Sequence, residues 1–396
     1  TSIFLILFTG NYLMRIPYGK HDVLPEDIDS VVNVLKSELI TQGSMVPQFE
    51  RHVTEYCHAQ YAVAVNSATS ALHLACLALS LEPDDWLWTS SITFVASANC
   101  GLYCGAKIDF VDIDPQTYNL CPKALEQKLI AAEMSGELPK VVVAVHLGGQ
   151  SCDMKSIDAL AQQYHFKIIE DASHAIGGKY LNKPIGHCRY SNITVFSFHP
   201  VKIITSGEGG IAVTNNKQYA DKMGQLRQHG ITRDPTQMTK ESDGPWYYQQ
   251  TDLGFNYRLS DIHAALGLSQ LKRLDQYVSN RQALASRYNE LLADLPVLLP
   301  LAFDDCYSAF HLYIIRIVPQ KNTASHLEVF ESLKAQGIGV NIHYIPVHLQ
   351  PFYQRMGFKQ GDFPNAESYY QQAITLPLYP TLTHQQQDQV IAALTG

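Results

Sequence analysis

Between Tyr61 and Thr214 the chain alternates short β-branched, apolar runs with helical ones, and this constrains the fold more than any other feature. Tyr61-Ala62-Val63-Ala64-Val65 reads as a strand, followed by Asn66-Ser67-Ala68-Thr69 and a helix through Ala71, Leu72, Leu74, Ala75 and Leu79. A strand near Trp86 to Thr89, a helix near Ala96 to Tyr103, and strands at Ile108 to Val111 and Val141 to Val145 come next. Ile157, Leu160, Ala161 and Tyr164 recur at i, i+3, i+4 and i+7, one face of a helix, before a strand at Lys167 to Glu170. Runs this apolar, separated by helices, predict an α/β fold with a mainly parallel sheet covered on both faces.

At 396 residues the chain exceeds one compact core. The pattern predicts a large domain over residues 14–265, then a bridging helix and a smaller α+β domain over 266–396. One long helix is expected from about residue 260 to 294, and Thr383-x-x-Gln386 reads as the capping box of a final helix. Residues 231–252 are polar and carry Asp234-Pro235 and Gly244-Pro245; a connection this long is usually functional. The apolar run from Ile3 to Phe8 is far short of the roughly 20 residues that span a bilayer. It also lacks the basic start and cleavage site of a signal peptide. Met14 reads as a natural start, so residues 1–13 are expected to be an extension outside the fold.

The formal charge of −8 and the lack of a long Lys/Arg run argue against a nucleic-acid partner but leave small anionic ligands open. Eight cysteines are scattered, and no CxxC pair or Cys/His cluster has zinc spacing, so no metal is expected. The expected state is reduced thiols in a cytoplasmic protein without a membrane anchor.

In open α/β sheets, ligands sit outside the carboxyl ends of the strands. Four segments expected there carry polar residues. Asn66-Ser67-Ala68-Thr69-Ser70 opens a helix, where backbone N–H groups can surround a phosphate, although an N-cap explains the same residues. Asp171 follows the strand Lys167 to Glu170, where it either caps a turn or pairs with a protonated ring nitrogen, and His174 follows three residues later. Phe94, at the start of a helix, can stack on an aromatic ligand or fill the core. In Phe196-Ser197-Phe198-His199-Pro200-Val201-Lys202, followed by Gly207-Glu208-Gly209-Gly210, one lysine lies between an apolar strand and a glycine turn. Such a lysine is either an ordinary surface residue or an amine for Schiff-base chemistry, which requires its pKa to be lowered.

The order of these segments resembles the DegT/DnrJ/StrS family of sugar aminotransferases, from about Ile16 to the end of the chain. Thr41-Gln42-Gly43, Leu253-Gly254-Phe255-Asn256-Tyr257-Arg258 and Val340-Asn341-Ile342-His343-Tyr344 extend the resemblance. It implies the type I fold of pyridoxal-phosphate enzymes (aspartate aminotransferase-like), with a seven-stranded sheet and a small C-terminal domain. It also implies that Lys202 carries the cofactor covalently and moves the proton. Asp171 would pair with the cofactor's ring nitrogen, His174 would lie near its phenolic oxygen, and Phe94 would stack on the ring. Ala68, Thr69 and Ser197 would hold the phosphate. Asn256 would reach into a neighbouring subunit's site, making a homodimer the catalytic unit. Many relatives have glutamine at the position of His174. The family's deoxysugar dehydratases replace the lysine by histidine, so Lys202 favours transamination.

Within the family, the segments around Asp171, His199 and Asn66 look closest to the branch serving pseudaminic acid biosynthesis. That implies amination, by L-glutamate, of C4 in a UDP-linked 2-acetamido-2,6-dideoxy-4-ketohexose. Another nucleotide-linked 4-keto sugar is the alternative, followed by a pyridoxal-phosphate-binding regulator without turnover. Tyr18, His343 and Tyr344 are candidates for sugar-nucleotide contact, and Arg258 for the diphosphate charge.

Overall fold

The computed structural model describes residues 16–318 and 324–395; the expectation for residues 1–13 lies outside them. The strands β1 (Tyr61–Val65), β2 (Trp86–Ser90), β3 (Lys107–Val111), β4 (Val141–Val145), β5 (Lys167–Asp171), β6 (Ile193–Ser197) and β7 (Gly210–Thr214) form one sheet. Its order is β1-β7-β6-β5-β4-β2-β3. Only β7 runs against its neighbours, pairing antiparallel with β1 and β6.

Helices α1 (Pro25–Leu35), α2 (Met45–Cys57), α3 (Ala68–Ala78), α4 (Ala96–Tyr103), α5 (Pro122–Ser135), α6 (Met154–Tyr164) and α7 (Lys217–Leu226) accompany the sheet. The period of two sorts its side chains. Val141, Val143 and Val145 pack with α3, α4 and α7, whereas Val142 and Ala144 pack with α5 and α6. Each face therefore has its own helical cover, as the unbroken apolar runs require.

The expected long helix is instead two, α8 (Asp261–Leu271) and α9 (Leu274–Leu291). Arg273, at φ −108 and ψ 5, lies outside helical geometry. Its guanidinium donates to the buried Asp27 carboxylate at 2.6 Å, and Gln270 donates to the same oxygen at 2.7 Å. The break is tied to the docking of α1 and is invisible to local propensity.

A second core gathers Leu284, Tyr288 and Leu292 with Tyr313, Ile315, Leu333, Ile374, Val390 and, from the other end of the chain, Ile16. Its antiparallel sheet has the order β8 (Val297–Leu298), β9 (Tyr313–Ile317), β10 (Ala373–Leu376), with α10 (His326–Ala335) alongside. The final helix, His384–Thr395, opens with the expected capping box: Gln386 N–H donates to the Thr383 hydroxyl, and Thr383 N–H to the Gln386 side chain. Val340 to Tyr344 forms no strand; Asn341 makes a single bridge to Thr375.

Candidate active site

The polar ends of β1, β5 and β6 meet at a cavity of about 410 Å³. Two roomier hollows, about 630 and 680 Å³, open elsewhere on the surface and do not reach Lys202.

Ser67 caps α3 by accepting from Ser70 N–H at 3.1 Å. The amides of Ala68 and Thr69, in the first turn, have no intrahelical acceptor, and both residues line the cavity, the arrangement that suits a helix start to an anion. Gly210 packs against this turn so closely that a Cβ there would run into the Ala68 amide. The glycines after Lys202 thus serve close approach as well as turning, since Gly207 alone of the three takes a positive φ, +81°.

Glu170 and Asp171 are adjacent on β5, and the pleat separates their roles. Glu170 turns away, to His146 Nε2 at 2.7 Å and the Thr194 hydroxyl at 3.0 Å. Asp171 lines the cavity. Its Oδ1 accepts from the Ser173 hydroxyl at 2.6 Å and from Ser173 N–H at 3.1 Å, and its Oδ2 accepts from the Ser97 hydroxyl at 2.6 Å.

Lys202 follows β6 in a tight loop, its N–H donating to His199 O. Burial pushes its amine down to about 8, partly offset by the Asp171 charge. At pH 7.5 roughly a quarter of such a lysine is neutral, against about one part in a thousand for an ordinary one. Three histidines share the cavity, and burial, reinforced by the Lys202 charge, holds all three below the usual imidazole range. His174 and His311 lie well below it, and His343 falls to about 3. Gly148 N–H donates to His174 Nδ1 at 3.3 Å, which puts the proton of the neutral ring on Nε2, 3.1 Å from the Tyr344 hydroxyl.

Of the residues singled out in the sequence, Tyr18, Ala68, Thr69, Phe94, Asp171, His174, Ser197, Lys202, His343 and Tyr344 converge on this cavity. Phe94 stands 58% exposed at its rim, its ring 6.2 Å from that of Tyr344. Asn256 and Arg258 do not line it. Asn256 is exposed and accepts from Asn66 through its carbonyl, and Arg258 bridges to Val65 along the backbone. Among the described lining residues Lys202 is the only Lys or Arg, so Arg258 brings no charge to its own chain's cavity.

Sequence reasoning missed His311, which reaches the cavity because its segment docks on Gly148-Gly149: Ala309 N–H donates to Gly149 O and Leu312 N–H to Gly148 O. A Cβ on Gly149, at φ +110°, would collide with the Phe310 amide. Ser97 was missed too, its hydroxyl being aimed by the start of α4.

The residues present fit pyridoxal phosphate. A lysine amine of lowered basicity can take its aldehyde, and the open helix turn packed on Gly210 offers amides to its phosphate. A doubly held carboxylate is available to its ring nitrogen. A mainly parallel sheet delivering this set to its strand ends defines a pyridoxal-phosphate-dependent transferase of the type I fold. The family model of the DegT/DnrJ/EryC1/StrS aminotransferases matches residues 22–395, and the chain belongs to that family. It is therefore a pyridoxal-phosphate-dependent aminotransferase.

Among its relatives, the spore coat polysaccharide biosynthesis protein SpsC of Bacillus subtilis is 38% identical over 96% of both chains. A UDP-4-amino-4,6-dideoxy-N-acetyl-beta-L-altrosamine transaminase of Campylobacter jejuni is 37% identical over 92% of both. In structure, Helicobacter pylori PseC, an aminotransferase of pseudoaminic acid biosynthesis, superposes with a TM-score of 0.86 at 31% identity. That superposition covers 96% of this chain and 98% of PseC.

Proposed function

We propose that this enzyme transfers the amino group of L-glutamate to C4 of a UDP-linked 2-acetamido-2,6-dideoxy-4-ketohexose, as in pseudaminic acid biosynthesis. The observation that carries the chemistry is Lys202, an amine near pKa 8 opening onto the same cavity as Asp171. The choice of sugar is supported by the Campylobacter relative and the Helicobacter structure. Because the Bacillus relative is equally similar, another nucleotide-linked 4-keto sugar remains the second reading.

Bound in this site, the cofactor supplies an electron sink for the carbon that loses or gains a proton. Lys202 would hold it through Nζ, Asp171 would pair with its ring nitrogen, and His174 would lie near its phenolic oxygen. The Ala68 and Thr69 amides and the Ser197 hydroxyl would hold its phosphate, and Phe94 would cover its ring. With the cofactor bound, Lys202 Nζ would take the proton from the donor's α-carbon and, in the second half-reaction, would return one to C4 of the sugar. Tyr18, His343 and Tyr344 form the wall that meets the sugar nucleotide.

A substrate diphosphate finds no arginine on this chain's cavity wall among the described residues. That supports a homodimer whose sites are completed by the second copy, with the exposed Asn256 reaching across. All eight cysteines are free, which supports a cytoplasmic setting.

The test is NMR of the product formed from UDP-linked 4-keto sugars with glutamate and the purified enzyme. Amination at C4 of the 2-acetamido-2,6-dideoxy substrate is expected. Turnover only with other 4-keto sugars selects the second reading, and failure to form 2-oxoglutarate with any of them sinks both.

A further inference from the structure

We propose that Ser97, backed by Thr93, is the positioning residue that fixes the Asp171 carboxylate for the cofactor's ring nitrogen; this rests on the reading of Asp171 given above. Ser97 is fully buried in the first turn of α4 and does not line the cavity. Its hydroxyl lies 2.6 Å from Asp171 Oδ2, across 74 positions of sequence, and 2.7 Å from the Thr93 hydroxyl.

The chemistry of the groups sets the direction of this chain of bonds. A carboxylate is acceptor-only, so Ser97 donates its single proton to Asp171. Thr93 must then donate to Ser97, which leaves Thr93 facing the cavity with lone pairs only. Bonds aligned in this way polarise one another.

The terminal torsion of an aspartate is broad and two-fold, so nothing in the side chain itself fixes the plane of the carboxylate. Ser173, two residues away, holds Oδ1 from the same loop. Ser97 holds Oδ2 from a different element, the helix that begins just after Phe94. The carboxylate is therefore clamped from two sides, and its position is tied to that of the residue at the cavity rim. Ser97 acts through Asp171 and touches no substrate.

The experiment loads the enzyme with cofactor carrying ¹⁵N in the ring and compares the wild type with the Ser97→Ala, Ser97→Thr and Asp171→Asn variants. In Ser97→Ala the ring-nitrogen resonance should move toward its position in Asp171→Asn. Its kcat should fall about ten-fold, the scale of one hydrogen bond to a charged group, with KM for glutamate little changed. Ser97→Thr, which keeps the hydroxyl, should restore both. If Ser97→Ala does not fold, Ser97→Cys, a weak donor of similar size, takes its place. A wild-type ring-nitrogen resonance in Ser97→Ala, alongside a shifted one in Asp171→Asn, overturns the proposal. An unshifted resonance in Asp171→Asn removes the reading of Asp171 itself, and this proposal with it.

Discussion

The Tyr344 hydroxyl lies 3.1 Å from His174 Nε2, a contact across 170 positions of sequence. It pins the loop after β5 to a segment that bridges the small antiparallel sheet through Asn341. The neutral His174 ring donates from Nε2, because its Nδ1 already accepts from Gly148.

That relationship predicts the behaviour of His174 with pH. Its pKa lies well below the usual range, chiefly through burial and then through the Lys202 charge, so it stays neutral across the pH range where an ordinary histidine takes up its proton. Histidine ¹⁵N NMR should find Nε2 protonated and Nδ1 bare throughout that range. Tyr344→Phe leaves a buried N–H without its partner and should cost about 1–3 kcal/mol of stability, read from chemical denaturation.

Lys202 makes cofactor uptake pH-dependent. Below its pKa of about 8 the reactive neutral fraction falls roughly ten-fold per pH unit, and above it the fraction saturates. The rate of reconstitution of the apoenzyme, followed by visible absorbance, should rise with pH and level off just above 8. A midpoint near 10.5 would show that burial does not depress this amine. Because the folded pKa is lowered, the unfolded chain binds more protons between pH 8 and 10.5, so this group's destabilisation of the apoenzyme is relieved as pH rises through that window.

Gly210→Ala tests the steric reading of the glycine segment. The added methyl is directed at the Ala68 amide, part of the helix turn offered to the phosphate. Overpacking of this kind costs about 1–3 kcal/mol. Cofactor affinity, measured by equilibrium dialysis, should fall more than thermal stability does; equal affinity in the variant would contradict this account of the phosphate turn.

Asp27 and Arg273 should govern acid stability. Burial alone would raise the Asp27 pKa, but hydrogen bonds from Ser269, the Leu24 amide, Arg273 and Gln270 lower it below its ordinary value. A lowered carboxylate contributes stability above its unfolded pKa near 4 and loses it as pH falls through the folded value. Arg273→Ala removes the cationic partner of a buried carboxylate that keeps three other donors, and should cost about 1.5–3 kcal/mol at pH 7, with a smaller deficit at pH 3.

A shared site predicts complementation. Lys202→Ala should be inactive, and Asn256→Asp nearly so if Asn256 serves the neighbouring subunit. Mixed after subunit exchange, the two inactive proteins should recover up to about a quarter of wild-type activity, because half of the dimers carry one intact site. No recovery despite demonstrated exchange would place Asn256 outside the catalytic unit.

The sheet, its two covers and the positions of Lys202 and Asp171 were legible in the sequence because each depends on local pattern. A strand's period of two separates Glu170 from Asp171, and the end of a strand marks where a polar side chain meets a ligand. Ser97, His311 and the break at Arg273 were not legible, because their partners lie far along the chain. Ser97 is an ordinary helix serine until α4 brings it beside β5. His311 enters the cavity only because Gly148-Gly149 admits its backbone, and Arg273 leaves the helix while bonded to a carboxylate from α1. Asn256 and Arg258, read as site residues from their motif, lie off their own chain's cavity because the backbone there pairs with Gln228 and Val65. Local periodicity fixed which residues stand at the carboxyl ends of the strands, while packing between distant elements decided which of them touch.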